Sequence, residues 1–299
     1  MSDVPQSHSE TIERLASAPG RIFVVGGVDT GKTTFALQVA RAGVEAGHVA
    51  AVVDADLGQS SIGPPGTIGL KLVRSAADTD PGALGLPDAM SFVGSVSPRG
   101  HFLSLVSGTA KLVLRAIEMG ARLIVVDTSG MIAGVAGQVL KLTKAELCRP
   151  HHVVALARGG ELEPIVGILQ RFLSVQITEL GVHPDITVRS VDDRTAHRER
   201  RLAAFLGPEV YRWRVKSTVF FPSLPPLYDR GELDGLLVGV DDGTGNCLGL
   251  GILEYRDDAL RLLTPVSEGV KALRLGWLRV TPDGTITDRV DLRAMLGTD

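Results

Sequence analysis

IFVVGGVDTGKTTFALQVA, residues 22–40, is the stretch that decides the fold. An apolar run of β character leads into Gly26-Gly27-Val28-Asp29-Thr30-Gly31-Lys32-Thr33, and residues of helical periodicity follow. The middle matches GxxxxGK[ST], whose glycines let successive backbone amides and a helix N-terminus converge on phosphate oxygens. A chance glycine-rich turn has no reason to fall between a buried strand and a helix start, so the flanks give the match its weight. The spacing assigns Lys32 to the β- and γ-phosphates, the Thr33 hydroxyl to Mg²⁺, and the backbone from Gly26 through Thr34 to the phosphates of a nucleoside triphosphate such as ATP. The modified loop of partition-type ATPases begins with a lysine; here that position is Gly27.

Working outward, short apolar runs alternate with amphipathic stretches as far as Arg201, the pattern of βαβ units. Strands are expected at 21–27, 48–56, 122–130, 151–157 and 186–190, and helices at 31–46, 101–119, 135–147, 163–173 and 191–206. The fold class is therefore α/β: a mainly parallel sheet of the P-loop NTPase type with flanking helices. Residues 76–88 read as a loop by composition. Beyond Val215 a Pro- and Gly-rich stretch gives way to short strands separated by DDGTGN and PDG turns. The expected organisation is a short N-terminal helix within 1–20, a P-loop domain over 21–214 and a small β-rich C-terminal domain over 215–299.

The 31 basic and 34 acidic residues give a net charge of −3, which excludes a polyanion binder of the histone type and makes any nucleic-acid contact a local one. Cys148 and Cys247 have no CxxC or Cys/His partner, which points to a reducing compartment and no zinc site. The polar start MSDVPQSHSE and the lack of a membrane-length apolar run make a cytoplasmic protein without membrane contact the expectation. Oligomeric state is not written in the sequence.

Three carboxylates emerge at strand ends: Asp54 and Asp56 in VVDADLGQ, and Asp127 in LIVVD. Ligands of open α/β sheets lie at the carboxyl ends of strands, so all three can reach the phosphate loop, with Asp54 and Asp127 placed to orient a metal or its waters. Phosphoryl transfer to a hydroxyl needs a proton acceptor and groups that neutralise the moving charge. RSVDDRTAHRERR, residues 189–201, supplies five arginines. Helical projection puts Arg198 inside an apolar stripe of Val191, Leu202, Phe205 and Leu206, leaves Arg194 and Arg201 at its edge, and turns Arg200 away. A guanidinium in such a stripe needs a partner, either phosphate or a structural carboxylate. His101 reads as a substrate contact or a helix cap, His151 and His152 as structural, and Trp213 and Trp277 as core or inter-domain contacts.

In their order and spacing, GGVDTGKTT, VDADLGQSSIGPPGT, VGSVSPRGH, VVDTSG and the arginine segment resemble the RNA 5′-hydroxyl polynucleotide kinases, over about residues 10–207. The β-rich tail resembles that of the short archaeal and bacterial forms. The resemblance implies that Asp56 of Asp56-Leu57-Gly58-Gln59 activates the attacking hydroxyl, with Gln59 beside the substrate. It implies that Ser97-Pro98-Arg99-Gly100, with His101 following, is a clasp on the nucleic-acid end. Arg189, Arg194 and Arg198 correspond to a lid over the phosphates. Met131 stands where many members have a base-stacking tryptophan. The implied activity is ATP- and Mg²⁺-dependent phosphorylation of the 5′-hydroxyl of RNA, the first choice, or DNA. A small-molecule kinase and a non-catalytic RNA-processing subunit that retains ATP are the alternative readings.

Overall fold

The computed structural model describes residues 7–226 and 228–297. In chain order the elements are α1 (His8–Ala16), β1 (Gly20–Gly26), α2 (Lys32–Glu45), β2 (Ala50–Ala55), β3 (Thr67–Val73), α3 (Pro81–Leu84), β4 (Ala89–Phe92), α4 (Phe102–Glu118), β5 (Leu123–Thr128), α5 (Gly134–Cys148), β6 (His152–Ala157), α6 (Glu163–Phe172), β7 (Gln176–Gly181) and α7 (Val191–Leu206). The C-terminal part contains β8 (Tyr211–Arg214), β9 (Phe220–Phe221), β10 (Leu236–Asp241), β11 (Cys247–Arg256), β12 (Ala259–Thr264), β13 (Ala272–Val280), β14 (Ile286–Arg289) and α8 (Leu292–Leu296). Among the described residues no helix is long and apolar enough to cross a membrane.

Strands β2, β5, β1, β6 and β7 lie side by side and parallel, with β1 in the middle. The inner residues of β2, β5, β1 and β6 are almost wholly apolar and buried on both faces, as a sheet covered by helices on each side requires. Phe35, Ala36, Val39 and Ala40 of α2 cover one face against Ile22, Val24, Val52 and Val125. On the other face, Leu105 and Leu112 of α4, Leu140 of α5 and Ile165 of α6 pack against Phe23, Val25, Val53 and Val126.

The structure corrects three local expectations. Residues 186–190 form no strand; the fifth parallel strand is β7, an edge strand that is mostly exposed and so lacks the buried-strand signature. The stretch 76–88 holds a 3₁₀ turn (Ala76–Thr79) and the one-turn α3. Two strands absent from the sequence reading, β3 and β4, extend the sheet antiparallel beyond β2.

The C-terminal strands β10 to β14 are antiparallel, as their turns predict, the two-residue β9 pairs parallel with β13, and the set continues the same sheet through one pairing, Cys247 with Met90. Strand β8 pairs with β12, so Tyr211–Arg214 hydrogen-bonds to the C-terminal strands and not to the parallel ones. Phe92 sits at the junction in a slot so close that a Cβ on Gly239 would lie 2.4 Å from its ring.

Gly69 in β3 tests the packing that shapes the site, because a Cβ there would come within 2.1 Å of the Ile62 carbonyl oxygen. Gly69→Ala should cost about 1–3 kcal/mol through overpacking. Gly167→Ala, in α6 with nothing within 4 Å of the new methyl, should instead stabilise by about 0.5–1 kcal/mol. Urea unfolding of the two variants measures both; equal effects would contradict this packing.

Candidate active site

The phosphate loop joins β1 to α2. Gly31 has φ 83°, and Asp29 holds the left-handed region at φ 53°. Thr30 donates from Oγ1 to the Gly27 carbonyl at 3.1 Å, and the buried Lys32 donates from Nζ to the same carbonyl. Arg158, at the end of β6, donates to the carbonyls of Val28 (3.0 Å) and Asp29, fixing the outer turn of the loop. Nothing in the sequence pattern singled out Arg158; its role comes from the β6 end lying beside the loop.

Asp54 and Asp127 stand opposite each other in the register of β2 and β5, both fully buried on the α2 face. Thr33 donates from Oγ1 to Asp127 Oδ2, whereas Asp127 Oδ1 is buried without a hydrogen-bond partner. Asp54 accepts three amide hydrogens: from Asp56 at 3.0 Å on Oδ1, and from Ser61 at 2.6 Å and Ile62 at 3.1 Å on Oδ2. Burial, reinforced by the neighbouring Asp127 charge, pushes the Asp54 carboxyl up to about 8. Burial also raises Asp127, to about 6, against the pull of Lys32 and the Thr33 hydroxyl.

Asp56 leaves the strand after Ala55 and turns. Its Oδ1 accepts from the amides of Gly58 (3.0 Å) and Gln59 (3.1 Å), which holds the carboxylate plane. Val28 through Thr34 line a cleft of about 350 Å³ together with Asp56, Gln59, Ser61, Arg189 and the 185–187 segment. Ile186 and Thr187, the first residues of the strand expected at 186–190, therefore form with Asp185 a wall of this cleft. Behind β5, fully buried Lys141 donates to Thr128 Oγ1 at 2.7 Å and to the Ser129 carbonyl, setting the turn after Asp127. Lys144, equally buried and unpartnered at Nζ, is lowered by that burial to about 8. Neither lysine stood out in sequence, since both lie among the apolar residues of an ordinary helix.

The arginine segment is a helix, α7, capped by Ser190 and Asp193 in a reciprocal box. Leu202, Phe205 and Leu206 pack against C-terminal strand residues, but Val191, expected on the same stripe, is 72% exposed. The five arginines part company. Arg194 pairs with Asp29 Oδ2 at 2.8 Å, and the Arg189 amide donates to the same oxygen at 3.0 Å. Arg189 also donates to Gln59 Oε1 at 3.4 Å. Arg198 is half-buried; it donates to Thr195 Oγ1 at 2.7 Å and its Nε is buried without a partner. Arg201 donates to the carbonyls of Ser61 and Gly63, both at 2.7 Å, so it braces that loop, while Arg200 is exposed.

Of the clasp residues, Ser97, Pro98, Arg99 and Gly100 form a turn closed by the His101 amide donating to the Pro98 carbonyl at 3.0 Å. The turn backs onto the Asp56 loop so closely that a Cβ on Gly58 would lie 2.9 Å from the Val96 carbonyl oxygen. None of residues 97–101 lines the phosphate cleft, nor do Arg194, Arg198 and Met131. His101 occupies the N-cap position of α4 without a side-chain cap bond; its ring lies 4.7 Å from that of Trp277. Met131 packs partly buried against the core behind the loop. Among the described residues no cluster of three or more His, Cys, Asp or Glu forms a metal site.

A glycine loop between the central strand and its helix, with carboxylates at neighbouring strand ends, defines a P-loop nucleotide-binding protein. Residues 26–207 match the family model described as the mRNA cleavage and polyadenylation factor CLP1 P-loop, and the chain belongs to that family. It is 28% identical to a polyribonucleotide 5′-hydroxyl-kinase of Thermococcus kodakarensis, over 94% of this chain and 95% of that one. It is 29% identical to the protein of the same name from Pyrococcus furiosus, over 98% and 97%. The fold matches the wild-type Clp1p–Pcf11p (454–563) complex with a TM-score of 0.69 at 13% identity, covering 91% of this chain and 77% of that one.

The Asp29 contacts make the phosphate loop the anchor of α7. Asp29→Asn keeps a residue tolerant of the left-handed backbone but removes the charge. A partly buried pair of this kind contributes about 1 kcal/mol, so amide exchange over residues 189–198 should accelerate roughly fivefold. Unchanged exchange by mass spectrometry would dissolve the anchor.

Proposed function

We propose that this chain is an ATP-dependent polynucleotide 5′-hydroxyl kinase that transfers the γ-phosphoryl group of ATP to the 5′-hydroxyl of RNA. The observation that carries the reading is the convergence of the phosphate loop, Asp56, Gln59 and Arg189 on one cleft. The names of its full-length archaeal relatives support the same activity.

The loop amides and Lys32 hold the β- and γ-phosphates, so that little covalent chemistry is left to the protein beyond positioning and charge. Asp56 takes the proton of the 5′-hydroxyl as its oxygen bonds to the γ-phosphorus and the bond to the bridging oxygen of ADP breaks. With Oδ1 committed to two amides, Oδ2 is the atom for that proton. Arg189 and Arg198, from the start and middle of the lid segment, offset charge on the transferring group. Arg194, bound to Asp29, positions the lid. The Ser97–His101 turn and Met131 lie outside the phosphate cleft and belong to the acceptor side in this reading.

Mg²⁺ fits Thr33 and Asp127: a hydroxyl and a carboxylate with an unpartnered buried oxygen are hard oxygen donors that would hold it. When bound it would neutralise the β- and γ-oxygens. Asp54, its two oxygens already accepting three amides, is assigned to holding the 56–62 loop and not to the metal.

Transfer of ³²P from γ-labelled ATP to a 5′-hydroxyl oligoribonucleotide tests the activity. Asp56→Asn should lower turnover by about 10²–10⁴-fold with ATP binding retained. Arg198→Ala should cost far more turnover than Arg200→Ala. ATP hydrolysis without label on the oligonucleotide would return the small-molecule reading, and tight ATP retention without any turnover the non-catalytic one.

The raised Asp127 carboxyl also predicts how metal binding depends on pH. Asp127 must lose its proton to accept a cation, so apparent Mg²⁺ affinity should rise as pH increases through about 6 and level off above it. Calorimetry in buffers of different ionisation enthalpy should show proton release near pH 6 and less of it at higher pH. A flat profile would remove Asp127 from the metal.

A further inference from the structure

The β13–β14 hairpin connects two parts of the site that are far apart in sequence. At one end the Trp277 amide donates to the Gly94 carbonyl at 2.8 Å, just before the clasp turn, and its indole meets the His101 ring at 4.7 Å and 59°. At the other end the hairpin turn presses on the lid helix: a Cβ on Gly284 would lie 2.6 Å from the Glu199 carbonyl oxygen. The Ile286 amide donates to the Glu199 carboxylate at 3.3 Å.

Cations gather along this edge. Arg289, paired in register with Leu278, lies near enough to Arg198 to lower its pKa, after burial, more than any other charge. Arg293 at the start of α8 does the same to His101, again after burial. Arg99 of the clasp, Arg289 and Arg293 are all exposed, and none is in an ion pair among the described residues. Crowding like charges is unfavourable unless an anion joins them, and a protein of net charge −3 has carboxylates to spare for pairing. The carboxylates nearest in sequence, Asp288 and Asp291, accept the backbone amides of Arg289 at 2.7 Å and Arg293 at 3.0 Å and form no ion pair with either guanidinium among the described residues, which leaves both guanidiniums open to an anionic ligand. Exposed cations flanking an aromatic pair are the combination that grips single-stranded nucleic acid, whose phosphates track the charge while its bases stack.

We propose that the β13–β14 hairpin and α8 form an extended acceptor site for single-stranded RNA. The nucleotides downstream of the 5′ end pass from the clasp across the His101–Trp277 pair, and Arg289 and Arg293 hold their phosphates. The direction of the strand rests on the kinase reading, which puts the 5′-hydroxyl at Asp56; the surface itself does not. The aromatic contact absent at Met131 is supplied from the C-terminal strands.

Arg289→Ala/Arg293→Ala changes only exposed side chains, so the variant keeps its fold. Fluorescence anisotropy with 5′-hydroxyl oligoribonucleotides of three and twelve nucleotides, without ATP, measures binding apart from transfer. The double variant should lose about tenfold in affinity for the longer oligonucleotide and little for the shorter, and its salt slope should fall by about 1.4. His101→Ala should weaken the longer oligonucleotide by about fivefold or more. Arg41→Ala/Arg171→Ala, which removes the same charge from α2 and α6, should leave the slope unchanged. Wild-type affinity and slope in the Arg289/Arg293 variant, or an equal loss in the control, would overturn the proposal and leave the hairpin as a brace between clasp and lid. RNA bound through this surface without phosphoryl transfer would sink the kinase reading alone.

Discussion

The site depends on burying two aspartates side by side. Asp54 and Asp127 share a register position on adjacent parallel strands, in a place where isolated carboxylates would be costly. Each is retained by a different set of partners. Lys32 and Thr33 bring the phosphate loop to Asp127, and three amides bring the 56–62 loop to Asp54. The pair thus fixes the nucleotide loop and the Asp56 loop relative to one another. Asp56 hangs from that arrangement, its own carboxylate held by the turn it starts.

The 189–201 segment and α7 are tied to the same frame at several points. Arg194 and the Arg189 amide converge on Asp29 of the phosphate loop, Gln59 Nε2 donates to the Arg194 carbonyl, and Arg201 holds the carbonyls of the loop that Asp54 anchors. These bonds separate arginines that look alike in sequence into latch, brace and free charge. Only Arg189 lines the phosphate cleft.

Sequence alone made the parallel core, the phosphate loop and the three strand-end aspartates legible, because buried strands are uniformly apolar and a phosphate loop has a fixed spacing. It missed β7, whose exposed edge carries no hydrophobic signature, and placed a strand at 186–190, where β-type residues instead line the cleft. It missed β3 and β4 because TIGLKLV and AMSF follow a Pro/Gly-rich run and a loop-like one. Arg158 and Lys141 act through carbonyls brought near only by tertiary structure, which no spacing rule encodes. Helical projection placed Arg198 and Arg200 correctly, since it depends only on the turn angle of α7. It failed for Val191, because the C-terminal strands that cover the stripe reach the helix only from Leu202 onward.

The junction between the parallel strands and the C-terminal strands follows from one side chain. Phe92 ends β4 and fills a slot against Gly94, Gly239 and Gly276, where any larger residue would strike the ring. With one backbone pairing, Cys247 to Met90, this contact aligns the C-terminal strands with the sheet. That alignment carries Trp277 to His101 and the hairpin turn to α7. A tight hydrophobic seam in the core therefore decides which side chains of the C-terminal strands stand beside the Ser97–His101 turn and α7. Packing alone thus builds the C-terminal strands against the Ser97–His101 turn on one side and α7 on the other.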